Sequence, residues 1–375
     1  MSASSQASTK RDEFVALLRL LSEAFGPSGF EDEVRRLVVE KMRPLVDELS
    51  VDKWGNVIGT LRGSAHGPSV MVAAHVDEIG LMIDQIDEKG FLRFRAIGGW
   101  NEVTLVGQRV ILRGRKPSSG ASTPVIGVIG GRPPHVTPPG KEREAPELKE
   151  LFIDAGFTSR EEAEKAGIGV GSVAVLDRSF DLLAGDAVTG KALDDRVGVA
   201  VMLSALQRLG RHEATIHFVA TVQEEVGLRG AQVAADALNP DVAVALDTTI
   251  AADVPGVPDR ESVTRLGKGP AIKLMDGGRG GLFIAHPKLD DFLVRVAEEH
   301  KIPYQLEVLI GGSTDAQAIA FRRAGVPATT ISIPTRYVHS PVEVLSASDA
   351  LGAADLLAAA LGELDSEVLK SLSFR

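Results

Sequence analysis

The first residues able to do chemistry lie in Ala73-Ala74-His75-Val76-Asp77-Glu78, at the end of a short apolar run. On a strand, residues two apart share a face, so His75 and Asp77 are neighbours. An imidazole that binds a metal commonly donates its second N–H to such a carboxylate, which fixes the tautomer. A structural histidine beside a solvated aspartate is the competing reading. Lys191-Ala192-Leu193-Asp194-Asp195-Arg196 places adjacent acids before a helical stretch, where they are either metal ligands or residues favoured by the helix dipole. Gln223-Glu224-Glu225-Val226-Gly227 follows another β-forming run, and neighbouring carboxylates there point in different directions. Asp247 closes Asp241–Asp247, and His339 sits in Tyr337-Val338-His339-Ser340-Pro341; either could be a turn residue taken alone.

The combination decides more than any member. His75, Asp77, Asp194, Glu224, Glu225, Asp247 and His339 are expected to converge on one sheet edge. Carboxylates crowded together without compensation cost several kcal/mol each, on the order of the penalties for buried unpaired charge. Two divalent cations resolve that cost, and their excess over three ligating carboxylates leaves room for a hydroxide. The chain has no cysteine, so thiolate ligands, thiolate nucleophiles and disulfides are all excluded. A site of nitrogen and oxygen donors suits zinc, cobalt or manganese.

The elements that must position these residues follow from the pattern around them. Ser69–Asp77, Thr215–Glu225, Asp241–Asp247 and Ala328–Pro334 are short β-branched runs, each ending at or just before an acid or a histidine. Helical stretches at Arg196–Leu209, Lys288–His300, Thr314–Ala324 and Ser346–Leu361 alternate with them. That alternation predicts an α/β sandwich around a largely parallel sheet, whose strand ends gather ligands. Nearer the start, 12–24 reads as a helix, Ser28 and Glu31 as a capping box for a helix over Glu31–Met42, and Val51–Leu61 as a hairpin around Gly55-Asn56. Between about 80 and 180 the rhythm changes to short strand-like runs, Phe91–Phe94, Gln108–Arg113, Val125–Gly130 and Ser172–Leu176, with one helix at Ser159–Ala166 and a proline-rich loop at Pro133, Pro134, Pro138 and Pro139. We read 11–79 and 181–375 as one catalytic α/β domain, 80–180 as a small β-rich, barrel-like insertion, and 1–10 as an unstructured tail.

Length and composition agree with this division. A chain of 375 residues, 44% hydrophobic and 25% charged, suits about two globular domains. With 41 basic and 51 acidic residues the net charge is −10, which argues against a nucleic-acid binder. No apolar run is long enough to span a bilayer, and the first ten residues lack the apolar core of a signal peptide. A cytoplasmic location with no membrane or nucleic-acid partner is the expectation.

Five motifs in this order, A-A-H-V-D-E, K-A-L-D-D-R, Q-E-E-V-G, A-L-D-T-T followed by A-D-V-P-G, and Y-V-H-S-P, resemble the cytosolic dinuclear-metal aminopeptidases of the glutamyl and tetrahedral aminopeptidase type, some of which carry endoglucanase-like names. The resemblance runs from about Phe14 to Leu361 and includes G-P-S-G-F-E, W-G-N-V-I-G, G-Q-R-V and G-G-S-T-D-A. It implies a three-layer zinc-exopeptidase-like sandwich with an inserted assembly domain, and removal of N-terminal residues from short peptides. It further implies that His75 and Asp247 hold one metal, Glu225 and His339 the other, and that Asp194 bridges both, with a cis peptide to Asp195. Asp77 then orients His75, and Glu224 is the general base that activates the attacking water and protonates the leaving amine. Homo-oligomers from dimer to tetrahedral dodecamer are implied as well. One departure is Ser313 in Gly311-Gly312-Ser313-Thr314-Asp315, where a third glycine is expected. Arg336 and Arg279 are candidates to meet a substrate carboxylate, with a surface salt bridge as the alternative for Arg336. The run Asp276–Gly281 lacks a Walker Lys-Ser/Thr and reads as a loop near the substrate.

Other functions are compatible with some of these residues. A deacylase, a carboxypeptidase-like enzyme or another amidohydrolase on the same dinuclear core would prefer a blocked amine. Glycoside hydrolysis would leave both histidines idle, and aromatics amount to only 5% of the chain, thin for a sugar platform. A degenerate binding protein would have lost ligands that are all present here.

Overall fold

The computed structural model describes residues 3–115, 124–133, 135, 146–278 and 281–374. The chain opens with helix α1 (Ala3–Glu23), which buries Phe14, Leu18 and Leu21 along one stripe. The helix includes residues assigned above to an unstructured tail. No glycine or proline precedes Gly26, so a helix nucleated by that stripe propagates backwards without a breaker. Helix α2 (Asp32–Met42) inserts Val34, Val38 and Met42 into the same core. Strands β1 (Glu48–Val51) and β2 (Val57–Leu61) form the expected hairpin, its turn tied by Asp52 Oδ1, which accepts N–H bonds from Trp54, Gly55 and Asn56 at 2.8–3.0 Å.

Strand β3 (Ser69–His75) then leads out of the main domain. Strands β4 (Gly80–Ile86), β5 (Leu92–Ile97), β6 (Arg109–Arg113), β7 (Val125–Gly130), β8 (Phe152–Asp154) and β9 (Val173–Leu176) close a separate barrel in the order β4-β5-β8-β7-β6-β9. Its own core includes Leu81, Ile83, Leu92, Val110, Leu112, Ile129 and Ile153. Helix α3 (Arg160–Lys165) lies within it, capped by Ser159, whose Oγ accepts the Glu162 N–H. Of the proline-rich loop, Pro134, Pro138 and Pro139 fall outside the described residues.

The chain re-enters the main domain through β10 (Asp181–Leu182) and β11 (Ala187–Gly190). Then come α4 (Leu193–Arg208), β12 (Thr215–Thr221), α5 (Arg229–Leu238), β13 (Val242–Ile250), β14 (Ala271–Gly278), β15 (Gly281–Ile284), α6 (Pro287–Glu299), β16 (Gln305–Val308), α7 (Asp315–Ala320), β17 (Ala328–Arg336), β18 (Glu343–Ser346), α8 (Ala347–Glu363) and α9 (Ser366–Ser371). The main path of the sheet is β1-β2-β12-β3-β13-β17-β18-β11-β10. Its centre, β12-β3-β13-β17, is parallel, and the flanking pairs of that path are antiparallel. Helices α1, α2, α4, α6 and α8 pack one face through residues such as Val197, Val201, Leu293 and Leu357. On the other face α5 and α7 pack Ala231, Ala235, Ala316 and Ile319 on Met71 and Ala73. The result is a three-layer sandwich carrying a small barrel between β3 and β10.

The run read as a loop at Asp276–Gly281 is instead the junction of the β14–β15 hairpin. Gly277 has φ +120° and approaches so closely that a Cβ there would stand 2.3 Å from the Gly281 carbonyl oxygen, so only glycine allows the turn. Arg279 and Gly280 lie outside the described residues.

Candidate metal centre and active site

Each central parallel strand places an acid or a histidine at, near or just beyond its carboxyl end. His75 is the last residue of β3, and Thr221, opposite it in register, ends β12. Two residues further, Gln223 adopts φ +55° and turns the chain so that Glu224 and Glu225 fold back over the strand ends. Asp247 lies within β13, and His339, at φ +60°, follows β17. Asp194 and Asp195 come from the irregular start of α4, where the peptide between them is cis, as the resemblance implies.

Asp194 stands between the two histidines. Its Oδ1 lies 3.3 Å from His75 Nε2, and its Oδ2 lies 3.3 Å from His339 Nε2. His339 Nε2 is also 3.2 Å from Glu225 Oε1, and His75 Nε2 is 3.9 Å from Glu224 Oε2. Donor atoms of His75, Asp194 and Glu225 all fall within 4.8 Å of one another. Asp247 lines the same cavity of about 850 Å³, and its Oδ1 accepts the Thr248 N–H at 2.7 Å.

The electrostatics are those of a site built around positive charge. Burial, together with the charge of Asp247 and of Glu225, pushes Glu224 well above the ordinary carboxylate range. Burial and Asp194 do the same to Asp247, and Glu225 is likewise raised by burial and Asp194. Burial opposes the ionised form of Asp194 too, but hydrogen bonds to His339 and His75 hold it below the usual range. Burial disfavours protonated His339, yet Glu225 and Asp194 push its pKa up to about 12. Glu225 Oε1 is buried and, among the described residues, has His339 Nε2 as a close ionic contact but no well-formed hydrogen bond. A cation set among these donors would satisfy that oxygen and replace the protons the histidines otherwise carry, so the residues fit a divalent metal.

A family model described as M42 glutamyl aminopeptidase matches residues 55–356. The chain belongs to the M42 peptidase family. An aminopeptidase of the archaeon Desulfurococcus kamchatkensis is 50% identical, with a TM-score of 0.92, over 97% of this chain and 99% of its own. The lysyl aminopeptidase of Pyrococcus furiosus is 39% identical over 93% of this chain and 96% of its own. A Pyrococcus horikoshii TET1 peptidase, described as able to assemble into a tetrahedron or a large octahedral shell, is 33% identical with a TM-score of 0.82, over 94% of this chain and all of its own. This M42 peptidase is therefore a hydrolase of peptide bonds, an aminopeptidase.

Several residues that hold the site escaped the reading of motifs. Glu343 is buried; its Oε2 accepts the Asp194 N–H and its Oε1 the His339 N–H, both at 3.0 Å. Burial and the Asp194 charge push it up to about 8. Asp195 accepts the His75 N–H at 3.2 Å and the Gly198 N–H at 2.9 Å. Ser28 does not cap α2. It donates to Asp77 Oδ2 at 2.6 Å, while Glu31 Oε1 accepts the Gly29 N–H, and no side chain caps that helix. Asp77 in turn meets His75 Nδ1 with its main-chain carbonyl at 3.1 Å and with Oδ1 at 3.5 Å, and its carboxylate accepts the backbone N–H groups of Glu224 and Glu225 at 3.0 and 3.2 Å. Asp315, at the start of α7, accepts the Thr221 hydroxyl at 2.6 Å beneath the cluster. Sequence named Asp195 as one of two adjacent acids and Ser28 as a helix cap, but the groups that Ser28, Asp195, Asp315 and Glu343 support, such as Asp77, His75, Thr221 and Asp194, lie far along the chain.

Arg336 is not brought to the site. Its Nε and Nη2 are bound by the two oxygens of Asp253 at 2.8 and 2.7 Å, and it does not line the cavity. Sequence could not reveal that partner, 83 residues away. Arg279, the other candidate, lies outside the described residues.

Proposed function

We propose that this peptidase removes N-terminal residues from short peptides at a dinuclear metal site, with Glu224 as general base. In this reading His75 and Asp247 hold one ion, Glu225 and His339 hold the second, and Asp194 serves both. The observation that carries it is the placement of Asp194, one oxygen toward each histidine. Zinc or cobalt, and also manganese, suit the donor set.

Divalent ions bound there would polarise the scissile carbonyl, acidify water and take the free α-amino group of the substrate. The protein's own contribution is proton management and positioning. Glu224 takes a proton from the attacking water and returns it to the leaving amine, a role suited to a buried carboxylate whose proton affinity is raised. Asp77 fixes the orientation of His75 and anchors the backbone that carries Glu224. Glu343 and Asp195 hold the main chain of the ligand-bearing residues at fixed depth. The barrel over 80–180 is assigned to homo-oligomeric assembly, in keeping with the shells formed by the Pyrococcus horikoshii relative. Among the described residues no helix is long and apolar enough to cross a membrane, and a cytoplasmic peptide pool is the natural substrate source.

The test is Glu224→Gln. The variant should retain wild-type metal content by elemental analysis and lose about 10²- to 10⁴-fold in kcat on free-amine aminoacyl-anilides, the range for loss of a general base. Near-normal turnover would remove Glu224 from the role. Preference for N-acetylated over free-amine substrates would move the assignment to a deacylase.

A further inference from the structure

We infer that the substrate pocket selects aliphatic, uncharged N-terminal side chains and disfavours both acidic and basic ones. The inference rests on the aminopeptidase reading above and concerns the wall of the cavity beyond the residues assigned to the metals and the base.

Part of that wall is apolar. Ile250, Leu309, Ile310 and Phe321 line the cavity, and Ile250, Ile310 and Phe321 stand 40%, 73% and 69% exposed. Large apolar side chains left open beside a metal cluster are surface that a substrate side chain would cover. Besides the two histidines assigned to the metals, the described residues lining the cavity include one lysine and one arginine, and both are committed. Lys273 Nζ contacts Glu307 Oε1 at 2.8 Å, and both side chains are buried. Glu307 also accepts the Thr249 hydroxyl and does not itself line the cavity. Arg322 is bound by both carboxylate oxygens of Asp236, with Nε–Oδ1 at 3.0 Å. The acids lining the cavity are Asp194, Glu224, Glu225 and Asp247, all taken up by the proposed chemistry.

A glutamyl side chain entering this pocket would lose water and, among the described residues lining the cavity, find Lys273 and Arg322 already paired. A lysyl ammonium would find, among the described residues lining the cavity, no carboxylate beyond Asp194, Glu224, Glu225 and Asp247. Either charge is desolvated without compensation, whereas a leucyl or methionyl side chain gains contact with Ile250, Ile310 and Phe321. The pocket therefore differs from the glutamyl preference in the family description and from the lysyl preference in the name of the Pyrococcus furiosus relative.

The experiment is a kcat/KM panel of leucyl-, methionyl-, alanyl-, glutamyl- and lysyl-anilides on the metal-loaded wild-type enzyme. Leu and Met should exceed Glu and Lys by at least about tenfold, the scale of discrimination in an apolar pocket. Glutamyl or lysyl turnover equal to or above leucyl overturns the inference and leaves the aminopeptidase intact. Silence across the panel overturns the aminopeptidase reading and this inference with it. Ile310→Lys, at a position 73% exposed, should lower the Leu-to-Glu ratio by about tenfold or more by supplying an unpaired cation. An unchanged ratio would show that this wall does not face the substrate side chain, and would overturn the assignment.

Discussion

Asp77→Asn is the sharpest probe of how the centre is held. Asp77 is fully buried and carries four contacts. Oδ1 accepts the Glu224 N–H and lies beside His75 Nδ1, while Oδ2 accepts the Glu225 N–H and the Ser28 hydroxyl. Burial works against the charge, but His75, Ser28 and the Glu224 N–H hold its pKa below the usual carboxylate range. An asparagine keeps one oxygen. In its best orientation the amide NH₂ replaces Oδ2 and donates to Ser28, which leaves the Glu225 N–H facing another donor. That orphaned, buried N–H costs about 1–3 kcal/mol, and conversion of the Glu224 bond from charge-assisted to neutral costs about 1 kcal/mol more. A total of about 2–4 kcal/mol falls on the segment carrying Glu224 and Glu225, enough to lower Tm by several degrees. Because the Asp77 carboxylate also stands 3.5 Å from His75 Nδ1, beside the main-chain carbonyl that meets it at 3.1 Å, metal affinity should drop by about tenfold, the low end of the range for loss of a group behind a metal-binding imidazole. Scanning calorimetry and chelator-competition titration read the two effects separately. Ser28→Ala should cost about 1.5–3 kcal/mol alone and be strongly non-additive with Asp77→Asn. Wild-type Tm and metal affinity in Asp77→Asn would refute the reasoning, since the geometry leaves no orientation in which all four contacts survive.

Two further outcomes are expected. Asp290, buried on α6, is pushed up to about 7 by burial although the Thr329 hydroxyl donates to it at 2.6 Å. The folded state then holds a proton that the unfolded chain releases near its ordinary pKa of 3.8, so stability falls as pH rises from about 4 to about 7. Asp290→Asn removes that titration, and its Tm advantage over wild type should grow between pH 5 and pH 8, with a ceiling of about 4 kcal/mol; a gap that stays constant with pH would contradict the assignment. Light scattering on the purified protein should give the mass of a homo-oligomer, and a monomeric mass would exclude the assembly role proposed for the barrel.

Much of the site was legible because the chemistry of a nitrogen- and oxygen-donor centre restricts the residue types. His75, Asp194, Glu224, Glu225, Asp247 and His339 stand out as acids and imidazoles at or near the ends of apolar runs. Strands buried on both faces advertise themselves in the same way, so β3, β12, β13 and β17 were recognisable. The barrel showed itself by a change of rhythm to short runs and turns. Other elements gave weaker signals. The β14–β16 extension is interrupted by Asp276-Gly277-Gly278, which looks like a loop until its hairpin partner is in place. Helix α5 is a ten-residue, alanine-rich segment directly after the Glu224 motif, and its pattern was masked by the turn that precedes it.

The amino-acid sequence by itself determined the acids and histidines proposed as donors, their chain order, the exclusion of cysteine ligands and the α/β frame with its insertion. Those properties reside in side-chain identity and local periodicity. Tertiary structure alone decided that Ser28 serves Asp77 rather than a helix cap, that Glu343 grips the main chain at both Asp194 and His339, and that Arg336 and Lys273 are neutralised by Asp253 and Glu307. Each of those outcomes depends on which distant group the fold brings within about 3 Å, and backbone N–H donors are the same at every residue but proline. A carboxylate's type is written in the chain; the identity of the group it must satisfy is set only when the chain is packed.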